Sequence, residues 1–276
     1  MRLCCCLALS LTVVVACGDD SPSDPDATAD IDATAAGPDA APVPDATPAP
    51  PDAIEDRPAL ACLGDPAPAT APATIRIEGN LFDGAADPIA PLPGASAELR
   101  ARSDDALIAA VTTGGDGAFA FDVSTGGAPV DAYLAFAVDG YLPTRMTPPH
   151  AFAADVHAPS AVVTAAGLDA WHAQLGVTRD SARGTVLAFV WDCDENGIRG
   201  SAVATSPAGD ATAHWDDDAQ HWDPSPDAES NGFALTVNVP AGAVTVTAAY
   251  ADATLPAATI ESRPGELAIA IVDPLE

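Results

Sequence analysis

The sequence has 276 residues, of which 10 are basic, all of them Arg, and 40 are acidic, giving a formal net charge of -30. This balance excludes nucleic acid as a partner, because phosphate binding depends on clustered Lys and Arg, and it excludes electrostatic attraction to anionic membrane surfaces. Large apolar side chains are scarce, since Ala supplies much of the 48% hydrophobic content and the aromatics are 7 Phe, 4 Trp and 3 Tyr.

Residues 1–16 have the character of a signal peptide. The apolar run Leu3–Ala16 is shorter than the roughly 20 residues of a membrane-spanning helix. It ends in VVAC at Cys17, where the polarity switches at once. This pattern resembles the bacterial lipobox, in which the Cys is acylated and becomes the first residue of the mature chain. The resemblance implies a lipid anchor on Cys17 and, because Gly18 follows it, the outer membrane of a Gram-negative bacterium. The alternative is an ordinary secretory signal that is cleaved elsewhere.

Residues 17–71 are predicted to form a disordered tether rich in Pro, Ala and Asp. The tripeptide PDA recurs at Pro25, Pro38, Pro44 and Pro51. The segment has almost nothing to bury and therefore cannot offset the entropy cost of ordering. Because Pro stiffens it and like charges extend it, we expect it to hold the rest of the chain away from the membrane.

Two cysteines remain after the signal peptide and the lipobox are set aside, Cys62 and Cys193. Cys4–Cys6 leave with the signal peptide and Cys17 carries the lipid. An exported chain reaches a compartment that permits disulfides, so we predict a disulfide between Cys62 and Cys193. Two unrelated free thiols are the alternative.

Two series of short strands follow the tether, in residues 72–160 and 183–276. Gly and Pro turns separate strands with alternating apolar residues, a pattern typical of antiparallel sandwiches. In the first series the predicted strands are Thr74–Asp83, Ser96–Arg102, Ala106–Thr113, Ala118–Val123 and Ala132–Pro143. In the second series they are Thr185–Trp191, Ser201–Ser206, Phe233–Val239, Ala243–Tyr250, Thr254–Glu261 and Glu266–Val272.

The connector between the two series, residues 161–182, is predicted to contain a short helix. It places Leu168, Trp171 and Leu175 at helical spacing. The predicted fold class is therefore all-β, with two tandem Ig/transthyretin-like β-sandwich domains joined by a short helix.

The two halves carry similar short motifs at corresponding positions. In the first half they are Gly79, PLPGA at Pro91–Ala95, DGAF at Asp116–Phe119 and Gly140-Tyr141. In the second half they are Gly200-Ser201, NGF at Asn231–Phe233 and VPAG at Val239–Gly242. These motifs resemble the carboxypeptidase regulatory-like domain, a small transthyretin-like β-sandwich. The second half departs from it by lacking the late Gly-Tyr and by an insertion from about residue 207 to residue 230. The resemblance implies accessory modules without an active site.

The segment WDCDENGIRG contains a candidate calcium turn. Asp192, Asp194 and Asn196 alternate along the chain, and Gly197 follows for a tight turn. Oxygen ligands at this spacing form the first half of a calcium loop. The alternative is a polar β-turn in which Asp and Asn side chains satisfy their own backbone. No cofactor is predicted to be required, and calcium is the candidate ion.

The insertion carries HWD twice and is predicted to be an exposed loop. His214 and His221 with Asp216–Asp218 are candidate ligands for a transition metal. Trp215 and Trp222, flanked by carboxylates, are candidate rings for stacking on a sugar. The alternatives are a solvated loop for the first set and packing on the sandwich for the two Trp.

The sequence shows no motif of nucleophilic catalysis, no HExxH and no phosphate-binding Gly loop. We therefore expect no enzyme, but a lipid-anchored cell-envelope protein that acts as a non-catalytic binding or structural module for an unidentified protein or glycan. The alternative function is a metal-dependent glycan-processing enzyme that uses the His/Asp-rich insertion.

Overall fold

The computed structural model describes residues 58–86, 88–226 and 230–276, which belong to one compact unit. The predicted signal peptide, Cys17 and the tether up to residue 57 lie outside the described residues. Within the described ranges, no helix has the length and apolar character needed to cross a bilayer.

These ranges contain eighteen strands and one helix, which confirms the predicted all-β class. The first half comprises β1 Thr74–Asp83, β2 Ala90–Pro91, β3 Ser96–Ala101, β4 Leu107–Thr112, β5 Ala118–Ser124, β6 Ala132–Ala137, β7 Thr144–Thr147, β8 Val156–His157, β9 Ser160–Val162 and the helix α1 Ala165–Gln174. The second half comprises β10 Gly184–Val190, β11 Ala202–Ser206, β12 Ala211–Asp216, β13 His221–Asp223, β14 Ser230–Val239, β15 Gly242–Tyr250, β16 Ala253–Thr254, β17 Ala258–Ser262 and β18 Leu267–Val272.

A nine-stranded sheet runs through both halves in the order β13-β12-β14-β10-β18-β7-β6-β3-β4. The halves meet where β18 lies parallel to β7, with Leu267 opposite Thr144 and Ala270 opposite Thr147. This pairing satisfies backbone groups on the edge of β7 that would otherwise be exposed. The sequence predicts two tandem sandwiches. The structure corrects this in one respect, because strands from both sides of the connector 161–182 belong to one continuous sheet.

A smaller sheet packs on part of each face of the nine-stranded sheet. Alternate residues of β18 point to opposite faces, as side chains do in any strand. One face carries Leu267, Ile269 and Ile271 and packs with β1 and β5; we call this cluster the first core. The other face carries Ala268, Ala270 and Val272 and packs with β11, β15 and β17; we call this cluster the second core.

The predicted connecting helix is confirmed as α1. Thr164 caps its N-terminus, where the hydroxyl oxygen accepts a hydrogen bond from the Gly167 N–H at 3.0 Å. Leu168 is buried in the first core, and Trp171 and Leu175 pack against it. The helix therefore extends the cover over the first face beyond β1 and β5.

Residues 58–67, which belong to the predicted disordered tether, instead lie against the second half, and Ala71 reaches the first half, where its N–H donates to the Gly127 carbonyl oxygen at 3.1 Å. The Gly64 N–H donates to the Pro274 carbonyl oxygen at 2.9 Å, and Leu60 packs against the second core. The prediction missed this docking because the segment is short and Pro-rich and its contacts are made with residues far along the chain.

Candidate functional sites

The predicted disulfide is confirmed. Cys62 and Cys193 are bonded with their Cα atoms 5.9 Å apart and 131 positions apart in sequence. The segment around Cys62 also hydrogen-bonds to the turn that follows β10, since the Cys193 N–H donates to the Ala59 carbonyl oxygen at 2.8 Å. The chain is therefore fixed to the second half just before the first strand begins.

The candidate calcium turn is built around the buried carboxylate of Asp192. Its Oδ1 accepts hydrogen bonds from the N–H groups of Asp194 and Asn196, each at 2.9 Å. Its Oδ2 accepts from the Ala59 N–H at 2.9 Å. Both oxygens thus hold the turn and dock the preceding segment, as the polar-turn alternative predicts.

A grouping of three or more His, Cys, Asp or Glu side chains able to hold a metal ion does not occur in residues 58–86, 88–226 and 230–276. Calcium binding at Asp192, Asp194 and Asn196 therefore stays a prediction. The hydrogen bonds of the turn account for the Asp192 carboxylate without an ion.

The insertion with the HWD repeat is a β-hairpin rather than an exposed loop. In it β12 pairs with β13, placing Trp215 opposite Trp222 and His214 opposite Asp223. Because β12 also pairs with β14, the hairpin continues the nine-stranded sheet, and His214 becomes buried. The alternation of Trp with His and Asp is the period-2 signal that would have predicted these strands.

The two Trp side chains of the hairpin pack on the fold. Trp222 is 4% exposed. Its ring packs edge to face against the rings of Trp171 of α1 and Trp215, with centroid separations of 5.6 Å and 5.2 Å. Of the two rings predicted to stack on a ligand, only Trp215 retains partial exposure. The packing alternative therefore describes Trp222.

The acidic residues of the hairpin mainly close its turn. Asp216 Oδ1 accepts from the N–H groups of Asp218 and Ala219, each at 2.8 Å. The His221 Nε2 atom lies 3.7 Å from the Oδ2 atom of Asp223, two residues further along β13. This arrangement, with His214 buried, favours a structural role for the repeat over the predicted metal site.

A charged cluster that the sequence analysis missed joins the two halves on the second face. Arg145 of β7 is buried and lies over the Tyr133 ring, 4.3 Å from its centroid. Its Nη1 donates to Glu261 Oε2 at 3.2 Å. Arg263 Nη2 donates to Glu261 and to Asp105, each at 2.8 Å. Strands and loops of both halves thus meet through two guanidinium groups.

The cluster sets the protonation of its carboxyl groups in opposite directions. Hydrogen bonds from Arg263 and then from Tyr133 hold the pKa of Asp105 below its ordinary value. The hydrogen bond from Arg263 likewise lowers the pKa of Glu261. Burial raises the pKa of Glu266, although Arg145 and Arg263 act against the rise. The cluster is an ionic contact between the halves, with one carboxyl poorly hydrated.

A shallow cavity of about 520 Å³ lies on the first half, beside the edge formed by β4. Small side chains of β5, Ala118 and Ala120, line it, and Arg76, Glu78 and His157 stand around them. The Arg76 Nε donates to Glu78 Oε2 at 2.7 Å. It is an open, polar-edged groove with room for side chains of a polypeptide.

No protein-family model matches the chain, and no curated protein matches it by sequence. The resemblance to the carboxypeptidase regulatory-like domain therefore rests on its motifs.

Among solved structures, the chain is similar to the Bacillus anthracis TIE protein, with 12% identity over 73% of this chain and 34% of that chain and a TM-score of 0.25. It is also similar to the shaft pilin SpaA from Lactobacillus rhamnosus GG, with 13% identity, 75% and 98% coverage and a TM-score of 0.24. The Streptococcal ancillary pilin shows 11% identity over 73% of this chain and 62% of that chain, with a TM-score of 0.25. The chain spans about a third of the length of the Bacillus anthracis protein. These values describe a distant similarity between β-rich chains.

Proposed function

We propose that this chain is an exported cell-envelope protein, lipid-anchored at Cys17 to the outer membrane, whose folded part is a non-catalytic binding or structural module. The observation that carries the proposal is the disulfide between Cys62 and Cys193. Structural disulfides form and persist in oxidising compartments, which supports export of the folded part. The short apolar run before Cys17 supports the same route.

The non-catalytic role is supported by how the reactive side chains of the described residues are used. Asp192 holds a turn, Trp222 packs against α1, and Arg145 bridges the halves. The motifs that resemble an accessory β-sandwich support the same role. An acidic, Pro-rich tether between lipid and module suits a domain that is presented away from a membrane.

The anchor is tested by Cys17→Ser, with Cys5→Ser as the matched control inside the signal peptide. The parent protein is expected to enter the detergent phase and to incorporate labelled palmitate, and Cys17→Ser is expected to do neither. Cys5→Ser should behave as the parent, because that residue leaves with the signal peptide. Detergent partitioning of Cys17→Ser equal to that of the parent would refute the anchor.

Export is tested by trapping thiols in acid-quenched cells, followed by non-reducing peptide mapping. The expected result is a linked peptide pair that contains Cys62 and Cys193, with no alkylated form of either. Two alkylated thiols would remove the argument for an oxidising compartment.

The non-catalytic role is tested by metal analysis of the purified protein and by incubating it with a panel of glycans. Stoichiometric zinc together with turnover of a glycan would contradict this role.

A further inference from the structure

The strand β4 leaves one edge of the nine-stranded sheet open. It pairs with β3, and it has no second strand partner among the described residues. Leu107 and Ile108 of β4 are 54% and 41% exposed. Residues 106–115 carry no charge, although the chain has 50 charged side chains in all. Natural edge strands are usually protected by Lys, Pro or inward charges, and β4 has none of these.

The open edge presents backbone groups at Ala110 and Thr112. The Thr113 N–H donates to the Ala95 carbonyl oxygen at 2.9 Å, towards β3. Hydrogen-bonding direction alternates along an antiparallel strand, so Val111 also points its N–H and C=O at β3. Ala110 and Thr112 therefore point theirs to the open edge, as unpaired donors and acceptors for another strand.

The cavity described above lies along the same edge. Val111 and Thr112 of β4 form one side of it, and Ala118 and Ala120 of β5 form another. Because these four side chains are small or short, the side chains of a strand added to β4 have room there. The open edge and the cavity together make a site rather than a bare strand.

Charges at the two ends of β4 select the occupant. Asp104 precedes the strand and Asp116 follows it, and both are exposed. Two copies paired antiparallel along β4 and centred on Ala110 would bring the turn with Asp104 of one copy next to the turn with Asp116 of the other. Like charges brought together at both ends of the pair oppose this association, which disfavours a second copy of this chain. A segment with a cation at each end meets both carboxylates favourably.

We propose that the open edge of β4 binds an extended segment of another polypeptide, apolar in its centre and carrying Lys or Arg at both ends, by strand addition. This inference deepens the binding role proposed above and rests on it. Main-chain hydrogen bonds to Ala110 and Thr112 supply affinity, and Asp104 and Asp116 supply the preference for basic ends.

The test titrates the acetylated, amidated peptide KTVTVTVK onto the purified full-length protein, with ETVTVTVE as its charge-reversed control. The basic peptide is expected to bind about tenfold more tightly than the acidic one, and less tightly as ionic strength rises. Its binding should slow hydrogen exchange at the amides of Ala110 and Thr112. Equal affinity of the two peptides, or no binding of the basic one, would overturn the proposal.

Two variants locate the binding on β4. Ala110→Pro removes an N–H group that points to the open edge and makes no hydrogen bond to β3. It should lower the affinity for the basic peptide by about tenfold. Ala110→Val keeps the N–H and should bind as the parent does. Where Ala110→Pro fails to fold, Asp104→Asn with Asp116→Asn replaces it and should abolish the preference for the basic peptide.

The remaining outcomes are also decisive. Undiminished binding to folded Ala110→Pro would overturn the site. Concentration-dependent dimerisation of the parent that Ala110→Pro abolishes would assign the edge to a second copy and overturn the proposed occupant. Membrane attachment through Cys17 is measured separately, so a failure of strand addition leaves the lipid anchor unaffected and is distinguishable from its failure.

Discussion

The two faces of β18 pack in opposite ways. On the first face, Leu267, Ile269 and Ile271 join aromatic residues such as Phe119 and Phe136 in the first core. On the second face, Ala268, Ala270 and Val272 join mainly Val and Ala side chains in the second core. A core of large side chains is vulnerable to truncation, whereas one of small side chains is vulnerable to enlargement. At neighbouring residues of β18, truncation is therefore expected to be costly on the first face and enlargement on the second.

The largest expected loss of stability comes from removing the disulfide that holds the segment around Cys62 against the second half. Cys62→Ala with Cys193→Ala is expected to lower the free energy of unfolding by about 4 kcal/mol, because the open chain gains entropy in the unfolded state. Urea denaturation without reductant measures this loss. The parent protein in excess reductant should match the double variant, and an unchanged midpoint would contradict the entropic contribution of the bond.

The comparison of the two cores is tested directly on β18. Ile269→Ala should lower the free energy of unfolding by about 3 kcal/mol, because it leaves a cavity in the first core. The neighbouring Ala270→Val should lower it by about 2 kcal/mol, because it overfills the second core. Both are measured by urea denaturation against the parent. A stabilising Ala270→Val would mean that the second core has unfilled space, and the contrast between the faces would fail.

The contact between the halves is weakened by Arg145→Ala. This change removes the guanidinium between Tyr133 and Glu261 and should lower the free energy of unfolding by about 2 kcal/mol, a modest value because Glu261 is half-exposed and screened by solvent. Arg145→Lys keeps the charge and should recover part of the loss, but without the planar group over Tyr133. Equal stability of the Ala variant and the parent would show that β7 and β18 need no ionic support.

The smallest effect is a pH dependence at Glu266. Burial raises the pKa of Glu266 in the folded state, so the protonated form is favoured by folding. Its contribution is fully present below the ordinary pKa of a Glu and is lost as pH rises through the raised value. Glu266→Gln, which stays neutral, should therefore match the parent in acid and exceed it in stability at neutral pH. Denaturation of both proteins across this pH range measures the difference, and a constant difference would contradict it.

Local patterning predicted much of the fold, but it could not predict how the halves join. The alternation in Thr74–Asp83 gave β1 with its observed bounds, and the spacing of Leu168 and Trp171 gave α1. The parallel pairing of β7 with β18 joins residues more than a hundred positions apart. No turn connects such strands, so neither their partnership nor their register leaves a local signal.

The candidate sites show the same contrast between what the sequence predicts and what only the fold assembles. Composition and compartment were enough to predict the Cys62–Cys193 bond. Asp105, Arg145 and Arg263 lie far apart in the sequence and carry no shared motif, and only the shared sheet brings them together. In the HWD repeat the charges favour a loop, although the alternating Trp side chains carry the stronger information about structure.

The bond between Cys62 and Cys193 also determines how the protein would respond to mechanical load. Tension applied to the chain before Cys62 crosses at Cys62 directly to Cys193, just after β10 in the middle of the nine-stranded sheet. The residues between the two cysteines, β1 included, lie outside that line of force. A pull on the chain before Cys62 therefore does not load β1 or its pairing with β5 directly.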